Sequence, residues 1–465
     1  MSSVSLSDLQ DETLVRKALA VRGLGEEAAA GKARMFSRAT AELSAATGAP
    51  AAQAHACFVP GRIEVLGKHT DYAGGRSLLV AVDRGFCVVA VPRRDSRIRI
   101  LAVADRADIT FECRGDIQPQ VGVWSNYPMT VARRVARNFP GELRGADIAF
   151  LSDLPRSAGM SSSSALIVAS YLVLAAINHL EQRREYQQNI GSPLDLAGYL
   201  GTIENGLTFG SLAGDRGVGT FGGSEDHTAI LFGRPQEIVQ YAYCPVRFER
   251  SLRLPEGLVF AVADSGIVAD KTGAAMDKYN RVARRAAAVV DLWNRETGRR
   301  DPHLAAVLAA DDDADQRLRT ILQTTHHPVF TAEELTSRFE QFLVESEHII
   351  PAVPEDLRGA SLRDFGALVD RSQSLGAAQL MNQTAETIWL AQRARETGAL
   401  AASAFGAGFG GSVWALVPEI DAAAWLSDWS AAYRREFPDA AAGAGFFATR
   451  AGPAAFALAD DFSSR

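Results

Sequence analysis

The chain has 465 residues, of which 47% are hydrophobic and 22% are charged, and its formal net charge is −7. This length exceeds what one hydrophobic core usually supports, so two domains are expected. The mild acidity argues against a nucleic-acid partner, and the sequence has no run of about 20 apolar residues that could span a bilayer. The four cysteines lie far apart without metal-site spacing, which favours buried thiols in a reducing, cytoplasmic compartment.

The first part of the chain alternates helix and strand signals. The segment up to about Thr47 has an apolar face at helical spacing and is predicted to be helical. The apolar runs "SLLVAV" and "FCVVAV" flank residues 83–85, a pattern that predicts a β-hairpin. Three further strands are predicted at "RIRILA", "ITFEC" and "ADIAFL".

A long helix of small residues is predicted from Ser161 to about Leu180, and a second helix from Ser192 and Pro193, a good N-cap and N1 pair. After a glycine-dense loop, "TAILFG" reads as a strand. The pattern breaks near residue 250 and restarts with the strand "GLVFAVADSG", so we expect domains at 1–250 and 251–465. The second half is predicted to be richer in helix, at about 274–297, 332–349, 361–377, 383–397 and 421–435.

The stretch "LPRSAGMSSSSAL" joins a predicted strand to a helix whose first turn consists of serines. Backbone N–H groups at a helix start are unpaired and the helix dipole adds positive charge there, so this is a candidate anion site, with phosphate as the usual anion. The serine hydroxyls could also reach a metal ion. The loop lacks the GK[ST] ending of a Walker A motif. A plain capped helix with a small packing face remains the alternative.

Three glycine-rich stretches resemble, in order and spacing, the three motifs of the GHMP kinases: "PGRIEVLGKHTDYAGG", "LPRSAGMSSSSAL" and "FGAGFGGSVWALV". The first motif is most similar to that of galactokinase, whose pattern reads GR-apolar-N-apolar-apolar-GEHTDY-x-x-G. The stretches "VWSNYP" and "QLMNQT" are similar to the family's W-x-N-Y and L-M-N-x-S segments. The resemblance extends from about Phe36 to Val417, most of the chain.

The resemblance implies the α+β two-domain GHMP kinase fold, with an S5-like α/β N-terminal domain and a ferredoxin-like α+β C-terminal domain. The active site would lie in the cleft between them. It further implies an ATP- and Mg²⁺-dependent kinase that phosphorylates the C1 hydroxyl of a monosaccharide, as galactokinase does. The expected partners are therefore a small-molecule sugar and ATP, without nucleic acid or membrane, in a monomer or weak dimer.

The resemblance also assigns catalytic residues. The family's G-I-M-D-Q segment corresponds to "GSEDH", which gives Asp226 the role of catalytic aspartate, with its neighbour Glu225 as the alternative. Such a carboxylate would accept the proton of the sugar hydroxyl or orient that hydroxyl. Arg62 matches the arginine of the first motif and would neutralise charge between aspartate and phosphate.

Nucleotide and metal roles follow in the same way. The residues expected to bind ATP are Trp124, Gly159, Ser161, Ser162 and Ser163. Ser163 and Glu204 match the magnesium ligands of the family. Glu204 also shares a helical face with Leu196 and Leu200, where a carboxylate is costly unless it is paired or binds a cation. Glu204 and Asp226 are farther apart in sequence than the family spacing, which indicates an inserted loop.

His69, Asp71 and Tyr279 match the sugar-binding residues of the family, and Lys68 marks a departure. Lys68 stands where galactokinases have a glutamate that accepts a hydrogen bond from the sugar's C6 hydroxyl. A lysine offers donors only, and we expect Lys68 to contact the substrate. A uronic acid, galacturonate or glucuronate, is therefore an alternative substrate. A pentose such as arabinose is another alternative, and a catalytically silent sugar sensor is a third.

Overall fold

Within residues 2–48, 52–155, 158–267 and 273–459, which the computed structural model describes, the chain forms one β-sheet of nine strands and one of four. The strands are β1 (Val4–Ser5), β2 (Gln53–Leu66), β3 (Arg76–Pro92), β4 (Arg97–Ala102), β5 (Ala107–Glu112), β6 (Ala146–Ser152), β7 (Glu237–Ala242), β8 (Arg247–Arg253), β9 (Leu258–Asp264), β10 (Ala401–Phe405), β11 (Ser412–Pro418), β12 (Gly445–Thr449) and β13 (Phe456–Ala457).

Helices cover both sheets. They are α1 (Leu6–Gln10), α2 (Glu12–Val21), α3 (Glu26–Thr47), α4 (Asn126–Asn138), α5 (Ser162–Ile177), α6 (Arg184–Asn189), α7 (Pro193–Asn205), α8 (Glu225–Phe232), α9 (Gly273–Thr297), α10 (Leu304–Leu308), α11 (Ala314–Thr324), α12 (Ala332–Leu343), α13 (Ala360–Leu375), α14 (Ala385–Glu396) and α15 (Ala422–Glu436). Short π-helical turns at Val344–Ile349 and Gly376–Leu380 continue α12 and α13. In the part of the chain described, no helix is both long enough and apolar enough to cross a bilayer.

The larger sheet has the strand order β1-β2-β3-β6-β4-β5, with β7 and β8 joined through β3 and β13 paired to β2. Strands β4 and β6 run parallel, while β2, β3 and β6 pair antiparallel. Helix α3 packs on one face of this sheet and α5 on the other, so apolar side chains of β2 and β3 are buried on both faces. This double burial is why these strands read as nearly continuous apolar runs.

The smaller sheet is antiparallel, in the order β10-β11-β9-β12. Helices α14 and α15 pack on one of its faces, around Trp429 and Tyr433. Its other face contributes Phe260 and Trp414 to the same hydrophobic cluster as the core of the larger sheet. The two sheets therefore share buried apolar surface, which fixes the N-terminal and C-terminal motifs relative to each other.

The chain passes from one sheet to the other between Arg253 and Leu258, because β8 pairs with β7 and β9 pairs with β11. After β12 the chain returns, and β13 pairs with β2. The boundary at residues 250 and 251 stays a prediction. The second sheet begins close to it, although the last strand rejoins the first sheet.

Most predicted elements are confirmed. Helix α3 ends at Thr47, α5 covers most of the predicted small-residue helix, and α7 starts at Pro193 with the capping box of Ser192 and Asp195. The prediction of a hairpin at residues 83–85 is wrong, because β3 continues through them as one strand of 17 residues. A register shift in β2 between Pro60 and Arg62 lies opposite this point, so the polar residues and glycine mark an irregular pairing and not a turn.

The strand predicted at "TAILFG" is also wrong, because these residues belong to helix α8. The β-branched and aromatic composition favours a strand locally. In the structure, however, α8 packs against α5, α7 and strands β2 and β3, and this burial overrides the local preference. The consequence for the site is direct, since Glu225 and Asp226 lie in the first turn of a helix and not before a strand.

Candidate active site

Two neighbouring cavities contain the residues that the sequence singled out. The larger cavity has a volume of about 440 Å³ and is lined by Trp124, Gly159, Ser161, Ser162 and Ser163, among others. The smaller cavity, of about 40 Å³, is lined on the sugar-motif side by Glu64, His69, Asp71, Tyr72, Glu225, Asp226 and Tyr279. Arg62, Glu204 and Ala407 line both cavities, so the two meet at these residues.

The serine-rich loop forms an open cradle at the start of α5. Ser161 adopts the left-handed conformation at φ 56°, and its Oγ is buried without a hydrogen-bond partner among the described residues. Ser162 and Ser163 follow in the first helical turn, where the backbone N–H groups are free of intrahelical partners. A Cβ at Gly159 would lie 3.1 Å from the carbonyl oxygen of Phe405, which keeps this position small. These features fit a phosphate group.

Aromatic rings form the other wall of the larger cavity. Trp124 precedes α4, and its ring lies edge-on to that of Phe150, with 5.9 Å between centroids. Tyr127 lines the cavity beside them, and the nearby Val121 and Val123 are exposed. A flat apolar wall in the same cavity as an anion cradle suits the base of a nucleotide.

Arg62 and Asp226 form an ion pair at the junction of the cavities. Arg62 Nε and Nη2 each lie 2.7 Å from Asp226 Oδ1. Arg62 Nη1 donates to the carbonyl oxygen of Gly159, which ties the guanidinium to the serine-rich loop. Burial alone would lower the pKa of Arg62, but the charges of Asp226, Glu225 and Glu64 outweigh burial and raise it.

Ser164 connects the two carboxylates that the sequence placed far apart. Its Oγ lies 2.8 Å from Glu204 Oε2 and 3.1 Å from Asp226 Oδ2. A hydroxyl carries one proton, so Ser164 can donate to only one of these oxygens at a time. Sequence reasoning missed this residue, because it passed over the fourth serine in favour of Ser163, whose side chain lines the larger cavity instead.

The long segment between Glu204 and Asp226 is an ordered loop. Val218 N–H donates to the carbonyl oxygen of Glu204, which returns the chain to the end of α7. Asp215 anchors the loop through a 2.7 Å ion pair with Arg133 and a 3.6 Å contact with Arg134. The sequence separation therefore does not prevent Glu204 and Asp226 from sharing Ser164.

A magnesium ion fits the donors present at Glu204. The carboxylate is 5% exposed, lies at the junction of the cavities, and shares the larger cavity with Ser163. In the described residues no group of three His, Cys, Asp or Glu side chains forms a metal cluster. A carboxylate combined with substrate phosphates and water is the arrangement that Mg²⁺ commonly adopts. His227 Nε2 lies 3.5 Å from Glu204 Oε2.

His69, Asp71 and Tyr279 come together as expected in the smaller cavity. The rings of His69 and Tyr279 lie 5.2 Å apart. His69 Nδ1 is 3.1 Å from the hydroxyl of Tyr72, and Nε2 is 3.2 Å from the carbonyl oxygen of Ala407. Asp71 Oδ2 accepts a hydrogen bond of 3.1 Å from the backbone N–H of Glu225. Residues that are far apart in the sequence thus enclose one small polar cavity.

Lys68 does not line the smaller cavity, and its contact with the sugar stays a prediction. Its Nζ donates to Ser403 Oγ at 2.7 Å and to Ser372 Oγ at 3.2 Å, and the residue is 2% exposed. It lines a different small cavity, formed with residues of the third motif. The carboxylate of Glu345 lies nearby, since Ser372 Oγ, which accepts from Lys68, also donates to Glu345 Oε1.

Two further acids line the smaller cavity: Glu64, which the sequence analysis did not assign, and Glu225, which it named only as the alternative to Asp226. Glu64 lies in β2 between buried Ile63 and Val65, and Glu225 precedes Asp226 in α8. Burial raises the pKa of both carboxyls, and the negative charges of Glu64 and Asp71 raise that of Glu225 further. A carboxylate inside an apolar strand run is costly, and this signal could have identified Glu64 from the sequence.

The chain is similar to known galactokinases and to other GHMP kinases. The galactokinase galactose-binding signature matches residues 44–92, the N-terminal domain of GHMP kinases residues 126–210, and their C-terminal domain residues 353–435. The galactokinase of Roseiflexus sp. (strain RS-1) is 27% identical over 80% of this chain and 86% of its own length. That of Lactiplantibacillus plantarum is 25% identical over 81% of this chain and 89% of its own length.

Among solved structures, the Lactococcus lactis galactokinase complexed with galactose superposes with a TM-score of 0.69 and 20% identity, covering 87% of this chain and 95% of that one. The fold, the serine-rich cradle and the matching domain models define a GHMP kinase, an ATP-dependent phosphotransferase. The domain-model matches and the galactokinase relatives support a galactokinase-like kinase of this type. The expected two-domain α+β fold and the expected use of ATP with Mg²⁺ are thereby confirmed.

Proposed function

We propose that this chain transfers the γ-phosphoryl group of ATP to the C1 hydroxyl of galactose. The observation that carries the proposal is the meeting of the two cavities at Arg62 and Glu204, with Asp226 ion-paired to Arg62 at that point. A phosphate in the larger cavity and a sugar in the smaller one would approach each other there. The galactose-binding signature and the galactokinase relatives support galactose as the sugar.

On the nucleotide side, the backbone N–H groups at the start of α5 and the hydroxyls of Ser161 and Ser162 would bind the phosphates. Trp124 would lie against the base. Ser163 and Glu204 would hold Mg²⁺, which, when bound, neutralises phosphate charge.

On the sugar side, His69, Asp71 and Tyr279 would fix the ring so that its C1 oxygen faces the γ-phosphorus. A bond forms between this oxygen and the phosphorus, the bond to the bridging oxygen breaks, and ADP leaves. The proton of the hydroxyl moves to Asp226, and Arg62 stabilises the negative charge that is shared between aspartate and phosphate.

The alternatives have less support. A uronic acid would bring a carboxylate into a cavity lined by Glu64, Asp71, Glu225 and Asp226, while Lys68 points elsewhere. A silent sensor would not need Arg62 and Asp226 in contact. A pentose stays an alternative that the same assay tests.

We also propose that the enzyme acts in the cytoplasm as a monomer or weak dimer without a nucleic-acid partner. The net charge of −7 supports the lack of a nucleic-acid partner. The four free cysteines support a reducing compartment.

A coupled ADP-release assay tests the proposal. Wild-type protein with Mg-ATP would be given galactose, glucose, arabinose, galacturonate, glucuronate and mevalonate in turn. We expect the highest kcat/KM with galactose. Preference for a uronate or a pentose would overturn the choice of sugar. If none of these compounds led to ADP release, the kinase function would be overturned.

A further inference from the structure

Glu64 and Glu225 are buried acids of the smaller cavity for which the proposed phosphoryl transfer has no role. Glu64 lies two residues after Arg62 in β2, so its side chain points to the same face of the strand, and it is 3% exposed. Glu225 is the first residue of α8, directly before Asp226, and it is 5% exposed. Both line the cavity together with Asp71.

Both carboxyl groups line the smaller cavity, and the negative charge of Glu64 raises the pKa of Glu225. Two neighbouring buried carboxyl groups repel each other as anions, which favours a state in which one of them is protonated. Each residue also keeps one oxygen, Oε1, that is buried and has no hydrogen-bond partner in the described part of the chain. A buried acceptor without a donor is costly, and a ligand that donates a hydrogen bond would remove that cost.

The surrounding charges hold the pair in position. The positive charges of Lys68 and Arg62 act on Glu64, and that of Arg62 also acts on Glu225. The backbone N–H of Glu225 is fixed by Asp71 Oδ2 at 3.1 Å. The buried Lys68 does not line the smaller cavity, and its Nζ donates to Ser403 Oγ.

The sequence changes at these positions belong together. In the galactokinase pattern the residues at positions 64, 68 and 225 are Asn, Glu and Met, whereas this chain has Glu64, Lys68 and Glu225. The acid at position 68 has become a base, and two acids have appeared within its electrostatic reach. The acids of this chain therefore lie at positions 64 and 225, both of which line the smaller cavity, and not at position 68.

We propose that Glu64 and Glu225 form a carboxyl pair that recognises a hydroxyl group of the bound sugar and so selects a neutral polyhydroxy substrate. This inference rests on the proposed function, because it names the specificity determinant of the same sugar site. A hydroxyl can donate to a carboxylate oxygen of the pair and accept from a protonated carboxyl, whereas a sugar carboxylate at this position offers no donor and is repelled.

Deletion of single sugar hydroxyls tests the pair. Binding of galactose and of its 2-, 3-, 4- and 6-deoxy forms would be measured by titration calorimetry, and their turnover by ADP release. The proteins would be wild type, Glu64→Gln/Glu225→Gln, and Glu64→Asn/Glu225→Met, which restores the galactokinase residues. Exposed Glu333→Gln serves as the matched control.

For the wild type and the control, we expect one deoxy sugar to bind about 10- to 100-fold more weakly than galactose, as for a hydrogen bond to a charged acceptor. In a folded double variant, removal of the same hydroxyl would weaken sugar binding by less than about threefold. The KM for ATP would stay unchanged. Either double variant suffices, so misfolding of one leaves the test intact. If removal of each sugar hydroxyl weakens binding equally in the wild type and in the double variants, the proposal is overturned. Galactose that binds without turnover would overturn the proposed function while leaving the binding test of the pair valid.

Discussion

Asp226 is the side chain on which the proposed transfer depends most, because it contacts Arg62 and Ser164 at the junction of the cavities. Asp226→Asn keeps the shape but loses the charge and the proton acceptor. We expect kcat to fall by about 100-fold or more, with little change in the KM for ATP. Steady-state kinetics against Asp312→Asn, an exposed aspartate, would measure this. A kcat close to that of the control would exclude Asp226 from the chemistry.

Ser164 is a positioning residue, because its hydroxyl lies between Glu204 and Asp226. Ser164→Ala would leave both carboxylates without this donor. We expect a roughly tenfold lower kcat, equivalent to the loss of one hydrogen bond to a charged group, and a higher Mg²⁺ requirement. Ser170→Ala is the control, since Ser170 lies on the same helix and donates to the carbonyl of Leu166. Equal kinetics and equal Mg²⁺ dependence in the two variants would refute a positioning role.

Substitution of Lys68 tests whether this residue stabilises the fold or selects the substrate. Lys68→Glu would bury a third carboxylate beside Glu64 and Glu345 and remove the donor to Ser403. We expect the free energy of unfolding to drop by about 3 kcal/mol or more, as when one partner of a buried charge group is reversed. Lys68→Met, which keeps the length without the charge, should lose less. Urea denaturation would measure both, and a stable Lys68→Glu variant that prefers a different sugar would show that Lys68 reads the substrate.

At the scale of elements, the sequence was informative where local chemistry decides the structure. The N-cap at Ser192, the small-residue helix α5 and the end of α3 at Gly48 all follow from local signals. The hairpin in β3 and the strand in place of α8 were mispredicted, because tertiary packing decides both. The irregular pairing of residues 82–84 with β2 and the burial of α8 between helices and sheet both depend on partners distant in the sequence.

In the site, too, some residues could be predicted from the sequence and others could not. The motif residues Arg62, Asp71 and Asp226 could be predicted to meet, because the family resemblance carries their relative positions. Lys68 could not be oriented from the sequence, because its direction depends on Glu345, 277 positions away by numbering (345 − 68 = 277), and on Ser403. Buried charges choose among partners that only the fold brings together.

The loop between α7 and α8 is an element on which the site depends. Asp215, whose side chain is 2% exposed, holds it through Arg133 and Arg134. Asp215→Asn leaves these guanidinium groups without their counter-ion, so we expect a loss of about 3 to 5 kcal/mol in the free energy of unfolding. Urea denaturation would test this, with Asp116→Asn, an ion-paired but exposed aspartate, as control. A loss below about 1 kcal/mol would mean that the ion pairs do not anchor the loop.

At the scale of the whole molecule, stability should depend on pH through the carboxyl pair. Burial raises the pKa of Glu64 to about 7, and the pKa of Glu225 is raised as well, with Arg62, Lys68, Asp71, Asp226 and Glu345 as the charged neighbours. The folded state therefore holds more protons than the unfolded state above the ordinary pKa of glutamate, so their contribution to stability falls as pH rises through about 7.

Comparison with Glu64→Gln isolates this effect. Urea denaturation of both proteins between about pH 5 and pH 8 should show the wild type losing stability relative to the variant as pH rises. A difference that stays constant across this range would show that Glu64 does not carry the pH dependence.

The two sheets share a buried core, and the two cavities meet at Arg62 and Glu204, with Asp226 ion-paired to Arg62. The central claim is that a phosphoryl group passes to a sugar at this junction. Phosphorus and proton NMR of a mixture of the wild-type protein, Mg-ATP and galactose would test it most directly. We predict that ADP and a single sugar phosphate form in equal amounts, with phosphorus coupled to the proton at C1. Phosphate at another carbon, or ATP consumed only to inorganic phosphate, would contradict the account.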